Sequence, residues 1–139
     1  MTQQRDGTRL RATGRIEVKT YDDRAYDEPS DGPALHHITV TETFHGDIEA
    51  EGSVQFLQVV RLDKSASFVG VERVDGTLAG RHGSFVLQDQ GTLEGNTVTG
   101  SWFVVPGSGT GELAGLRGEG GFTAELGQHA QIALDYWFE

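Results

Sequence analysis

From Leu10 to Thr20 apolar and polar residues alternate, with Leu10, Ala12, Ile16 and Val18 on even positions and Arg11, Thr13, Arg15, Glu17 and Lys19 on odd ones. A period of two puts successive side chains on opposite faces of a half-buried strand. The pattern returns in LHHITVTETF (35–44), SVQFLQVVRL (53–62) and SASFVGVERV (65–74), each rich in β-branched and aromatic residues and bounded by turn residues. GSFVLQDQ (83–90) and NTVTGSWFVV (96–105) are joined by a segment whose Glu94-Gly95-Asn96 suits a tight hairpin turn. The last strand, HAQIALDYWFE (129–139), carries Ala130, Ile132, Leu134, Tyr136 and Phe138 on one face.

The remaining stretches contain no amphipathic helix beyond a single turn around Gly111 to Leu116. An acidic stretch, YDDRAYDEPSDGPA over residues 21–34, reads as a solvated loop, and residues 1–9 as a flexible N-terminus. An EF-hand fails in that acidic stretch: with Asp27 first, Pro29 takes the third place and Ile38 the place of the bidentate Glu. The chain is therefore all-β, one domain over residues 1–139, with about eight strands in a sandwich or a closed barrel. The barrel is favoured because closure removes both sheet edges and because Gly14, Gly70 and Gly100 sit inside strands that must bend.

Composition narrows the chemistry. Without cysteine there is no disulfide, thiolate zinc site, iron–sulfur cluster or Cys nucleophile. A balance of 11 basic against 21 acidic residues gives a net charge of −10, which disfavours nucleic acid and anionic membrane partners. No signal peptide or apolar spanning segment is evident in the N-terminal sequence, so a cytoplasmic location is expected. The 20 glycines are about twice the usual share, and seven of them lie between Gly107 and Gly121. That segment has no lysine for a phosphate-binding loop, and no second βα unit follows it for a dinucleotide fold. Its expected role is geometric, supplying positive-φ turns where the chain crosses a barrel end.

The segment VVPGSGTGELAGLRGEGGF, with SFVGVERVDGTLAGRHGSFVLQDQGTLEGNTVTGSW upstream and IALDYWFE at the end, resembles a bacterial family of small barrels catalogued as a domain of unknown function. The resemblance runs from about Arg11 to Glu139. That family is similar to allene oxide cyclase, and the Gly-Thr-Gly pattern also echoes dirigent proteins. The resemblance implies an eight-stranded antiparallel β-barrel, allene-oxide-cyclase-like or lipocalin-like, commonly a homo-oligomer, with a cavity along its axis. The plant cyclase site does not carry over, because it uses asparagines and a cysteine where this chain has only Asn96 and no cysteine.

With even positions facing inward, the polar residues on the inner face are Glu42, Gln58, Glu72, Gln88 and Tyr136, with His36 near a strand end. Glu72 is the leading candidate. Its VERV setting buries a carboxyl among apolar neighbours, and a buried carboxyl must be protonated, paired or wetted. It would serve as a general acid or as an electrostatic stabiliser, with Tyr136 as a hydrogen-bond donor. The plain alternative is a structural ion pair with Arg73, Arg81 or another basic residue, or a place at the rim in water. Trp102, Phe56 and Phe68 would form ligand walls or ordinary core, and Gln58, Gln88 and Glu42 would orient a ligand or bond neighbouring strands.

His36 and His37 point to opposite faces and cannot easily share a metal, and the other three histidines fall in turns or at strand ends. No metal and no cofactor are expected, and no Gly-x-Ser-x-Gly elbow occurs. Two functions compete: a barrel that binds a small hydrophobic molecule, as a cyclase or isomerase or as a non-catalytic carrier, and a structural module with a filled interior. Outward Trp137, Phe103 and Leu57 predict self-association.

Overall fold

The computed structural model describes residues 8–139, so the expected flexible N-terminus lies, up to residue 7, outside the described residues. Eight strands follow one another: β1 (Leu10–Asp27), β2 (Ala34–Gly46), β3 (Ile48–Val60), β4 (Ala66–Leu78), β5 (Arg81–Glu94), β6 (Thr97–Val104), β7 (Leu116–Glu125) and β8 (Ala130–Phe138). Each pairs antiparallel with its neighbours, and β8 returns to β1 to close the barrel. The only helical element among the described residues is one 3-10 turn, Gly111–Leu113. No helix there is long and apolar enough to cross a membrane.

The acidic stretch is mostly strand. β1 continues to Asp27, and only residues 28–33 connect it to β2. Acidic side chains suit a loop by composition, but Tyr21–Asp27 pairs with Leu35–Val40 of β2 and both its faces are solvated, so backbone pairing holds it without burying charge. The register slips between Val18 and Thr20. The extra residue flips the inward parity of β1, so that Ile16, Val18 and then Tyr21 line the barrel interior.

The two halves of the barrel are filled differently. At one end Ala12, Ile16, Phe44, Ile48, Val74, Leu78, Phe85, Leu87, Val104, Leu116, Leu134 and Tyr136 pack into one continuous core. The glycine-rich segment completes it. Positive φ at Gly107, Gly111 and Gly115 turns the chain, Thr110 N–H donates to Ser84 O, and Leu113 is carried into the core with no exposure. The other end stays open.

Inward parity is even on β2, β3, β4, β6 and β8 but odd on β5, where Gly83, Phe85, Leu87 and Asp89 are buried. The reason is turn length. β5 is entered through the pair Leu78↔Arg81 and left through Glu94↔Thr97, each closing a two-residue loop. Partners across such a loop share a face but differ by an odd number, so parity switches on entry and switches back on exit.

Candidate functional site

A cavity of about 570 Å³ opens at the end of the barrel opposite the glycine segment. Ile16, Val18, Ile38, Val40, Leu93, Val98 and Ala124 form its apolar walls, and Phe56, Phe68, Trp102 and Phe122 its aromatic ones. The rings form a chain: Phe56 meets Phe68 edge-on at 5.2 Å, Phe68 stacks on Phe122 at 6.2 Å, and Phe122 lies 5.0 Å from Trp102. The Trp102 indole is held in place by its N–H, which donates to Ala133 O at 3.2 Å.

Where the cavity meets the packed half, three carboxyls converge from three strands: Glu42 of β2, Glu72 of β4 and Asp89 of β5. They are 8%, 1% and 3% exposed and are the buried charged residues of the described chain. Their placement follows from register. Glu42 pairs with Gly52 of β3, and Glu72 pairs with Val54, the next inward position of that strand, and with Leu87 of β5. Asp89 lies one inward position further along β5. Room for the Glu72 carboxyl comes from Gly52, where a Cβ would meet Glu72 Oε2 and lie 2.8 Å from Phe44 Cε1.

Burial, and the negative neighbours Glu42 and Asp89, raise Glu72 well above the usual carboxylate range. Burial likewise raises Glu42, and burial with the Glu42 charge pushes Asp89 up to about 8. Glu42 and Glu72 stand close enough to share a proton. Glu72 Oε2 and Asp89 Oδ1 have no hydrogen-bond partner within the protein. No Lys or Arg lines the cavity. Arg73 alternates with Glu72 onto the outer, exposed face, and Arg81 lies over the Phe138 ring at 4.3 Å, so the ion pair that sequence allowed for Glu72 does not form.

Of the residues singled out from sequence, Glu72, Glu42, Gln58, Phe56, Phe68 and Trp102 meet at this cavity. Gln88 does not. It faces outward on β5, and Asp89 takes the inward place. Tyr136 is buried in the packed half, so it is not brought together with Glu72. His36 accepts or donates one hydrogen bond with Asp23 at 2.6 Å, and His37, on the other face, does so with Gln55 at 2.6 Å. Asp89 and Phe122 were missed. The signal for Asp89 lay in the odd-numbered Phe85 and Leu87 just before it, and nothing in FTAEL separates Phe122 from ordinary core.

On the outside, Leu57, Val69, Val71 and Phe103 are exposed along an open groove of about 960 Å³ rimmed by Gln55, Gln88 and Gln90. Trp137, expected there, is instead covered by the Arg9 guanidinium at 4.1 Å. Asp89 borders that groove as well, whereas Glu42 and Glu72 line only the cavity inside the barrel.

The comparisons with known proteins agree with this architecture. A crystal structure of a protein of unknown function from the DUF3224 family of Shewanella oneidensis MR-1 is 36% identical, covering 95% of this chain and 99% of that one, with a TM-score of 0.81. No curated protein matches the sequence. The family described as protein of unknown function, DUF3224, matches residues 12–136, and the chain belongs to that family.

Proposed function

We propose that this barrel is a small-molecule-binding protein whose ligand, largely apolar, enters the open end and rests its polar group on the Glu42–Glu72–Asp89 floor. One observation carries the reading: a cavity of about 570 Å³, within the size of small-ligand pockets, has apolar and aromatic walls and a few convergent polar groups at one end. A structural module has no use for that space. Filling it with side chains would add stability, and leaving carboxyl oxygens unpartnered costs about 1–3 kcal/mol each. Glu72, protonated against apolar walls, is also the group that would act as general acid if the held molecule is cyclised or isomerised, and Tyr136 takes no part in that second reading.

The test uses the uncharged fluorophore N-phenylnaphthylamine. Saturable fluorescence enhancement is expected, abolished by Val98→Trp, which plugs the mouth with little loss of stability because the indole enters open space. Absence of saturable binding, or equal binding by Val98→Trp, overturns the proposal. Incubation of any molecule that co-purifies with the protein then separates carrier from enzyme: turnover by the parent chain and none by Glu72→Gln would support the catalytic reading.

A further inference from the structure

We infer that the polar end of the ligand is an organic ammonium group, donating N–H hydrogen bonds to Glu72 and Asp89 while its tail lies along Trp102, Phe122 and Phe68. The inference rests on the reading of the barrel as a small-molecule binder and names the chemical class it takes.

Three features of the cavity point the same way. First, the floor holds three carboxyls, Glu42, Glu72 and Asp89, and no Lys or Arg lines the cavity. A carboxylate ligand would bring a negative charge against three carboxyls with no Lys or Arg in the lining to pair it. Second, Glu72 and Asp89 line the cavity, and each has a buried oxygen, Oε2 and Oδ1, without a partner in the protein. An ammonium offers N–H groups to both at once, and hydrogen bonds between charged partners are the strong ones. Third, the aromatic chain of Phe68, Phe122 and Trp102 reaches the floor at Trp102, the β6 partner of Asp89. Aromatic faces attract cations, tryptophan most of all, and the attraction grows when water is excluded.

Charge balances one for one. The ammonium arrives protonated, one carboxyl of the cluster releases its proton to solvent, and a neutral ammonium–carboxylate pair remains inside. The titratable groups facing Glu72 are Glu42 from β2 and Asp89 from β5. Glu17, Tyr21, Glu125 and His129 from the surrounding strands and the β7–β8 turn line the cavity further out. The raised proton affinity of Glu72 and Asp89 means that the cluster has a proton to release at neutral pH.

The experiment compares three ligands with one phenylbutyl tail, ending in an ammonium, a hydroxyl or a carboxylate, by displacement of N-phenylnaphthylamine and by calorimetry in two buffers of different ionisation heat. The amine should bind about tenfold or more tightly than the alcohol, in line with one charge-assisted hydrogen bond. The carboxylate should bind more weakly than the alcohol. Amine binding should release about one proton, read from the buffer dependence of the heat. Glu72→Gln and Asp89→Asn should each shrink the amine preference while leaving alcohol affinity within about twofold, a result that a merely structural role of either residue would not produce. If the alcohol binds as tightly as the amine, or the preference survives in both variants, the inference is overturned and the cavity reading stands. If neither the fluorophore nor any of the three binds, the cavity reading falls and the inference with it.

Discussion

The two ends of this barrel are built from the same strands and differ in what those strands point inward. At the packed end, inward positions carry Ile48, Leu78, Phe85, Leu87 and Leu116, and the glycine-rich segment lays Leu113 over them. Half a strand further along, the inward positions become Glu42, Gly52, Glu72 and Asp89, and beyond them come aromatic rings around open space. Sheet pairing is continuous through both, so backbone hydrogen bonding does not distinguish them. The lesson is that closure of the sheet makes the scaffold and the packed end makes it stable, which leaves the other end free to hold groups that weaken the fold.

Paired truncations give the largest contrast. Phe85→Ala, in the packed half, should cost about 3–5 kcal/mol, whereas Phe56→Ala, whose ring borders the cavity, should cost less than about half of that. Urea unfolding measures both, and equal losses would mean that the open end is as tightly packed as the other.

A second contrast is pH. Asp89 keeps its proton in the folded chain up to about 8, against an unperturbed value of 3.8. Between those values the folded state holds more protons than the unfolded state. Stability is therefore full below the lower value and is lost as pH rises through the upper one, at about 1.4 kcal/mol per pH unit for each such group. Surface carboxylates work the other way and at lower pH: Glu51 is lowered by Lys19, and Asp63 by Ser65. Urea midpoints should fall from pH 5 to pH 8, and Asp89→Asn should flatten that fall and exceed the parent in stability at pH 8. An unchanged slope in the variant would place the proton elsewhere.

The smallest effect belongs to the surface of the packed end, where Arg11 donates two hydrogen bonds to Asp135 across the β1–β8 seam at 2.9 and 3.2 Å. Both side chains are substantially exposed, so Arg11→Gln should cost about 0.5 kcal/mol and leave fluorophore binding unaltered. A loss comparable with Phe85→Ala would show that the seam limits stability.

Particular residues show how far the chain could be read without its structure. Alternation placed Ile38, Val40, Val54, Val74 and Leu134 inward, and they are buried. It also placed Glu72 among apolar neighbours, where it lies. The same rule carried one strand too far put Gln88 inside, because parity switches at a two-residue turn and the Leu78↔Arg81 turn was not counted. The residues YDDRAYD read as loop because composition reports solvation, and a solvated strand has the same composition as a solvated loop.

Glycine marks the division most clearly. The sequence by itself determined an all-β chain, the positions of its strands and the inward character of most of its faces, because alternation is a local property that each strand expresses alone. Only the tertiary structure decided that Gly52 makes room for Glu72, that Asp89 rather than Tyr136 shares its floor, and that one end is open. Those relations join residues on different strands, and the distances between strands are set by turn lengths, a bulge and the closure of β8 on β1, which no single strand encodes.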